Sequence, residues 1–199
     1  EVNMRIHSIY SENFIKAVIF LLGCFALTTT HARELTELPS ITRSDIGPHI
    51  IINDPGHPIK IQHKYLDGAI ILGGDGESVI LSKSKFFSVG ILTSENWPFR
   101  ELKPNNIPAY IFTEDFKAVT DQTARAQAKG ISRNLFNNDH DFIGKINLAE
   151  NMDAYIAFSR DSTTIMIASE SREDFYTHIV AHGLSWKEIQ EIILNGVER

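Results

Sequence analysis

The sequence predicts an α+β domain: a mainly antiparallel sheet with helices packed on one face and two short helices at the C-terminus. Three observations carry that expectation. Strand-length apolar runs crowd residues 49–93 and include a hairpin signal. Helix-capping signals gather later, at Thr113 and in the last thirty residues. The regular strand–helix alternation of a parallel α/β sheet is missing.

In chain order, strands are expected at His49–Asn53 and Ile59–Gln62. Ala69–Leu72 and Glu77–Leu81 flank Gly73-Gly74-Asp75-Gly76, whose glycines tolerate positive φ, so these two runs read as a hairpin. Phe86–Thr93 reads as a largely buried strand. Trp97–Pro108 holds three prolines and reads as an ordered crossing loop. Thr113 is expected to cap a helix with Glu114 and Asp115 in its first turn and Gly130 as its stop. Strands follow at Phe142–Asn147, Ala154–Phe158 and Thr163–Ala168.

At the C-terminus, Ser171 is expected to cap a helix carrying Phe175, His178, Ile179 and His182, ended by Gly183. Ser185, with Glu188 three residues on, forms a capping box for a second helix striped by Ile189, Ile192 and Ile193.

Residues 16–32 read as an export signal. Lys16 precedes an unbroken apolar stretch from Ala17 to Leu27, and Thr30 and Ala32 supply the small residues that signal peptidase requires. The stretch is too short to cross roughly 30 Å of hydrocarbon as a permanent helix. The expected organisation is a cleaved signal peptide at 1–32, a flexible leader at 33–48 and a single domain at 49–199. The mature chain would then be secreted or periplasmic. Leu21-Leu22-Gly23-Cys24 also matches a lipobox, so a lipoprotein anchored through Cys24 is the alternative.

Cys24 is the one cysteine, so a mature chain from Arg33 would be cysteine-free, which suits an oxidising compartment. The net charge is −6, and no dense Lys/Arg cluster appears, which argues against nucleic acid as a partner.

Several motifs have the outline of chemistry. Gly73-Gly74-Asp75-Gly76 resembles the GGDG signature of NAD kinases and diacylglycerol kinases, but Glu77 and a strand follow where those families continue with threonine and a helix. His182–Glu198 resembles the closing helix of adenosine deaminase-type enzymes; their metal-binding His-x-His and paired aspartates have no counterpart, so no catalytic residue is carried over. Asn137-Asn138-Asp139-His140-Asp141 imitates the start of a calcium loop, with Phe142 where glycine is needed and Leu148 where the bidentate glutamate belongs.

Two functional readings follow. The leading one is an exported non-catalytic domain that binds an envelope or extracellular protein or a small ligand, with Trp97, Phe99 and Tyr110 as candidate contact residues. The alternative is a secreted zinc-dependent hydrolase. His178 and His182 stand four apart, a helical metal spacing, and His57 and His63 could join them through the fold.

Overall fold

The computed structural model describes residues 32–41, 45–53, 56–73, 76–96, 102–137 and 139–198. Among them the backbone forms β1 (Thr36–Glu37), β2 (His49–Ile52), β3 (Ile59–Gln62), β4 (Ile70–Leu72), β5 (Glu77–Ser82) and β6 (Lys85–Thr93). Helices α1 (Ile107–Thr113) and α2 (Gln122–Leu135) follow, then β7 (Phe142–Ala149), β8 (Met152–Phe158), β9 (Thr163–Ser169) and β10 (Arg172–His182). The chain closes with α3 (Trp186–Glu188), which widens into a π-helical turn at Ile189–Ile193 and tightens to a 3-10 turn at Leu194–Gly196.

Eight strands make one sheet in the order β1-β7-β8-β9-β10-β6-β5-β4; β2 and β3 form a separate antiparallel hairpin. All neighbours in the large sheet are antiparallel except β1, which lies parallel to β7. The α+β class with a mainly antiparallel sheet is therefore what the chain adopts. Thr36–Glu37, within the segment expected as a leader, extends the sheet edge, and the Leu38 amide donates to the Lys145 carbonyl at 2.8 Å.

Alternation along the strands divides the core in two. Ile156, Ile165, Ile179 and Phe87 face the β2–β3 hairpin and the C-terminal helical segment, whose Ile189, Ile192, Ile193 and Leu194 are buried against them. Ala157, Met166 and Tyr176 face the opposite way, under Ile107, Ile111 and Phe112 of α1 and Ala124 and Ala128 of α2. The two longer helices share one face, and the C-terminal segment closes the other. Ser132 in α2 ties the helix pair together by donating to the Ile111 carbonyl at 2.9 Å.

Three local expectations are corrected. Residues 171–182 are not a helix but the longest strand, β10, held between β9 and β6. The helix expected from Thr113 to Gly130 is two elements. Thr113 ends α1, where its hydroxyl donates back to the Ala109 carbonyl and Glu114 turns left-handed at φ 57°. Asp121 starts α2 by accepting the Ala124 amide at 2.7 Å, and Gly130 lies inside the helix. The proline-rich stretch is partly helical: Pro104 opens a 3-10 turn and Pro108 sits in the first turn of α1, where a missing N–H costs nothing. The Ser185–Glu188 capping box is present, with the Ser185 amide 2.9 Å from the Glu188 carboxylate. Residues 1–31 of the expected signal peptide, Cys24 among them, lie outside the described residues.

Candidate functional site

The site is built where the β2–β3 hairpin meets the C-terminal segment. After Gln62 the chain turns through His63–Tyr65, held by the Leu66 amide donating to the His63 carbonyl at 2.9 Å and the His63 amide donating to Pro48 at 3.0 Å. The π-helical turn lies beside it, because Ile189, Ile192 and Ile193 point into the core and leave Gln190 and Glu191 outward. Gly196 allows the close approach. A Cβ there would stand 2.1 Å from the Lys60 carbonyl oxygen, so no other residue fits without a shift.

Between these elements opens a cleft of about 530 Å³, within the range of small-molecule sites. Gln62, Lys64 and Tyr65 line one wall, Lys187, Gln190, Glu191 and Asn195 the other, and Ser40 and Ile41 close an end. The Tyr65 hydroxyl donates to the Glu191 carboxylate at 3.2 Å, and Lys187 reaches the other carboxylate oxygen at 3.7 Å. The Lys64 ammonium stands 4.7 Å from the centroid of the Tyr65 ring and meets no carboxylate among the described residues. Gln62 is 9% exposed, and its side-chain amide has no hydrogen-bond partner among the described residues. The residue is largely covered, but its amide opens onto the cleft, where solvent or a ligand group can reach it.

A second buried polar cluster centres on Thr177 of β10. Its Oγ1 accepts from Asn53 Nδ2 at 3.0 Å and from the His57 amide at 3.2 Å, and lies 2.9 Å from His57 Nδ1. With both lone pairs used by N–H donors, the hydroxyl proton goes to Nδ1. The His57 ring then carries its own proton on Nε2, which is buried without a partner. Burial, helped by the charge of Arg172, pushes His57 down to about 4, so it is neutral at pH 7. Asn53, at φ 62°, also donates Nδ2 to the His57 carbonyl at 3.0 Å, and its amide meets the Glu77 carboxylate.

No protein-family model, curated protein or solved structure matches this chain.

Among the described residues the histidines do not converge. On a strand, residues four apart are separated by about 13 Å, at roughly 3.3 Å per residue, so His178 and His182 cannot share a metal as they would on a helix. His178 follows Thr177 directly and so faces the other side of the sheet from His57. His182 is exposed, stacks on Phe86 with ring centroids 5.3 Å apart and is hydrogen-bonded to the Asp161 carbonyl. His63 is exposed in its turn, and His140 packs edge-on to Phe136. Among the described residues no group of three His, Cys, Asp or Glu could hold a metal. The zinc constellation is thereby corrected, since it rested on helical geometry.

Tyr110 is half-buried and packs against the helix-side core. Trp97 and Phe99 lie outside the described residues. No helix among the described residues is long and apolar enough to cross a membrane. The cleft residues carried no signal in the sequence, because Gln62, Gln190 and Glu191 resemble any solvated surface positions until the fold brings them together.

Proposed function

We propose that this protein is an exported, non-catalytic binding domain, acting in the periplasm or outside the cell, that takes a small polar ligand in the cleft between Gln62 and the C-terminal segment. One observation carries the reading. Gln62 is held in place by the β2–β3 pairing, and its side-chain amide, with no hydrogen-bond partner among the described residues, opens onto a cleft of about 530 Å³ lined mainly by polar side chains. Among the residues lining the cleft, the one carboxylate, Glu191, is engaged by Tyr65 and Lys187, and the Ser40 hydroxyl makes no hydrogen bond to a basic side chain among the described residues. That arrangement suits holding a ligand better than attacking one. Export is supported by the run from Lys16 to Ala32, and by the absence of cysteine after Cys24.

Two measurements test the proposal. Mass spectrometry of material recovered from the producing cell should find a mature chain beginning at Arg33; a chain that retains the segment up to Ala32, or an acylated Cys24, would overturn the soluble-export part. Amide NMR with a panel of sugars, amino acids and organic acids should shift the side-chain signals of Gln62 and Gln190. Shifts confined to other surfaces would overturn the assignment of the cleft.

A further inference from the structure

We infer that the ligand of this cleft is a sugar acid, a pyranose ring carrying one carboxylate. The inference rests on the preceding reading of the cleft and goes on to name the chemistry that fills it. Gln62 and Gln190 present amides, and Ser40 a hydroxyl, with no hydrogen-bond partner among the described residues. Each of these groups both donates and accepts. A bare phosphate or carboxylate only accepts, so it would satisfy the amide nitrogens and leave the amide oxygens facing negative charge. A ring of hydroxyls satisfies both ends of every one of them.

Charge adds the acid. The cleft holds two lysines and one carboxylate. Glu191 is accounted for by the Tyr65 hydroxyl and Lys187, whereas Lys64 stands over the Tyr65 ring and meets no carboxylate among the described residues. In a chain of net charge −6, a lysine without a carboxylate partner beside unpaired amides selects for one negative charge on the ligand. Ile41 and Tyr65 supply the apolar wall against which the C–H face of a sugar ring can lie.

The test is titration of the full chain with glucuronate, glucose and acetate, read by the side-chain amide signals of Gln62 and Gln190 and by calorimetry. Glucuronate should bind, glucose should bind about 5-fold more weakly because it lacks the exposed ion pair, and acetate should leave the amides unmoved. Lys64→Ala should erase the preference for glucuronate while glucose binding persists. Gln190→Ala, on the surface, should weaken both sugars by about tenfold, as should Gln62→Ala if it folds. Equal binding of glucose and glucuronate, or acetate shifts as large as those of glucuronate, would overturn the sugar-acid inference and leave the cleft in place as a site. If a different class in the panel moves the amides and neither sugar does, the sugar-acid inference alone fails. Silence from every class would remove both.

Discussion

Thr177→Val keeps the shape of a buried side chain and deletes one hydroxyl, so it isolates what the polar cluster around that residue is worth. Three groups lose their partner at once: Asn53 Nδ2 for one of its two protons, the His57 amide and the His57 Nδ1 acceptor. Each buried group left unsatisfied costs about 1–3 kcal/mol, and Thr177 is fully buried, so water cannot step in without opening the strand. The loss should be about 3–5 kcal/mol after local relaxation, against a total of about 5–15 kcal/mol for a domain of this kind. Thr177→Ser retains the hydroxyl and loses a methyl, which should cost about 1 kcal/mol. Urea unfolding of the three proteins at neutral pH measures both differences. If Thr177→Val lies within about 1 kcal/mol of wild type, or if the serine variant is the weaker of the two, the hydrogen-bond assignment is wrong.

Further outcomes follow from the same packing. Ile193→Ala, at a fully buried position, should lose about 2–5 kcal/mol, while Lys187→Ala, with its side chain 80% exposed, should stay within about 0.5 kcal/mol; thermal or urea melts that fail to separate them would detach the C-terminal segment from the core. Gly183 stands at φ 73° with the Ser84 carbonyl oxygen 1.9 Å from where a Cβ would lie, so Gly183→Ala should cost several kcal/mol (about 3 or more), and an unchanged melting temperature would contradict that crowding. Stability should also fall on mild acidification. His57 is held down to about 4 from an unfolded value near 6.5, so the unfolded chain binds the extra proton between these limits. The loss grows as pH drops from 6.5 towards 4 and reaches about 3 kcal/mol; burial of His178 acts in the same direction. His57→Gln should flatten the dependence of stability on pH over that window, and an unchanged slope would assign the protons elsewhere.

Much of the sheet was legible in the sequence because local chemistry and fold agree there. The apolar runs at His49–Ile52 and Ile59–Gln62 pair as a hairpin, and Ile70–Leu72 lies against Glu77–Ser82 as the flanking glycines imply. The capping box at Ser185 was legible for the same reason. β10 was not, and its residues explain why. Phe175 and Ile179 are four apart, a spacing that serves one face of a helix and one face of a strand equally well. Thr177, Ile179 and Ala181 are buried on one face, but Val180 on the other is exposed and Tyr176 there is buried, so residue polarity does not reveal the alternation. Gly183 then supplies a stop that ends either element. Thr113 misled by capping chemistry: its hydroxyl bonds backwards to Ala109, closing a helix instead of opening one. The cleft was illegible because it gathers residues 40–41, 62–65 and 187–195, none of which announces the others.

The position of β10 has a consequence for how the molecule comes into being. β4, β5 and β6 form one meander and β7, β8 and β9 another, each joined by short connections, and the two halves meet only where β10 inserts between β9 and β6. Its register sets Phe86 opposite His182 and Thr93 opposite Phe175, pairings that close long loops and are therefore slow to form. A chain emerging from its N-terminal end would hold two half-sheets with raw edges at β6 and β9 until residues 172–182 arrive. A chain stopped before Arg172 loses the C-terminal helical segment and one strand, and with that strand go the joint between the halves and the Thr177 hydroxyl that fastens the β2–β3 connection to the sheet.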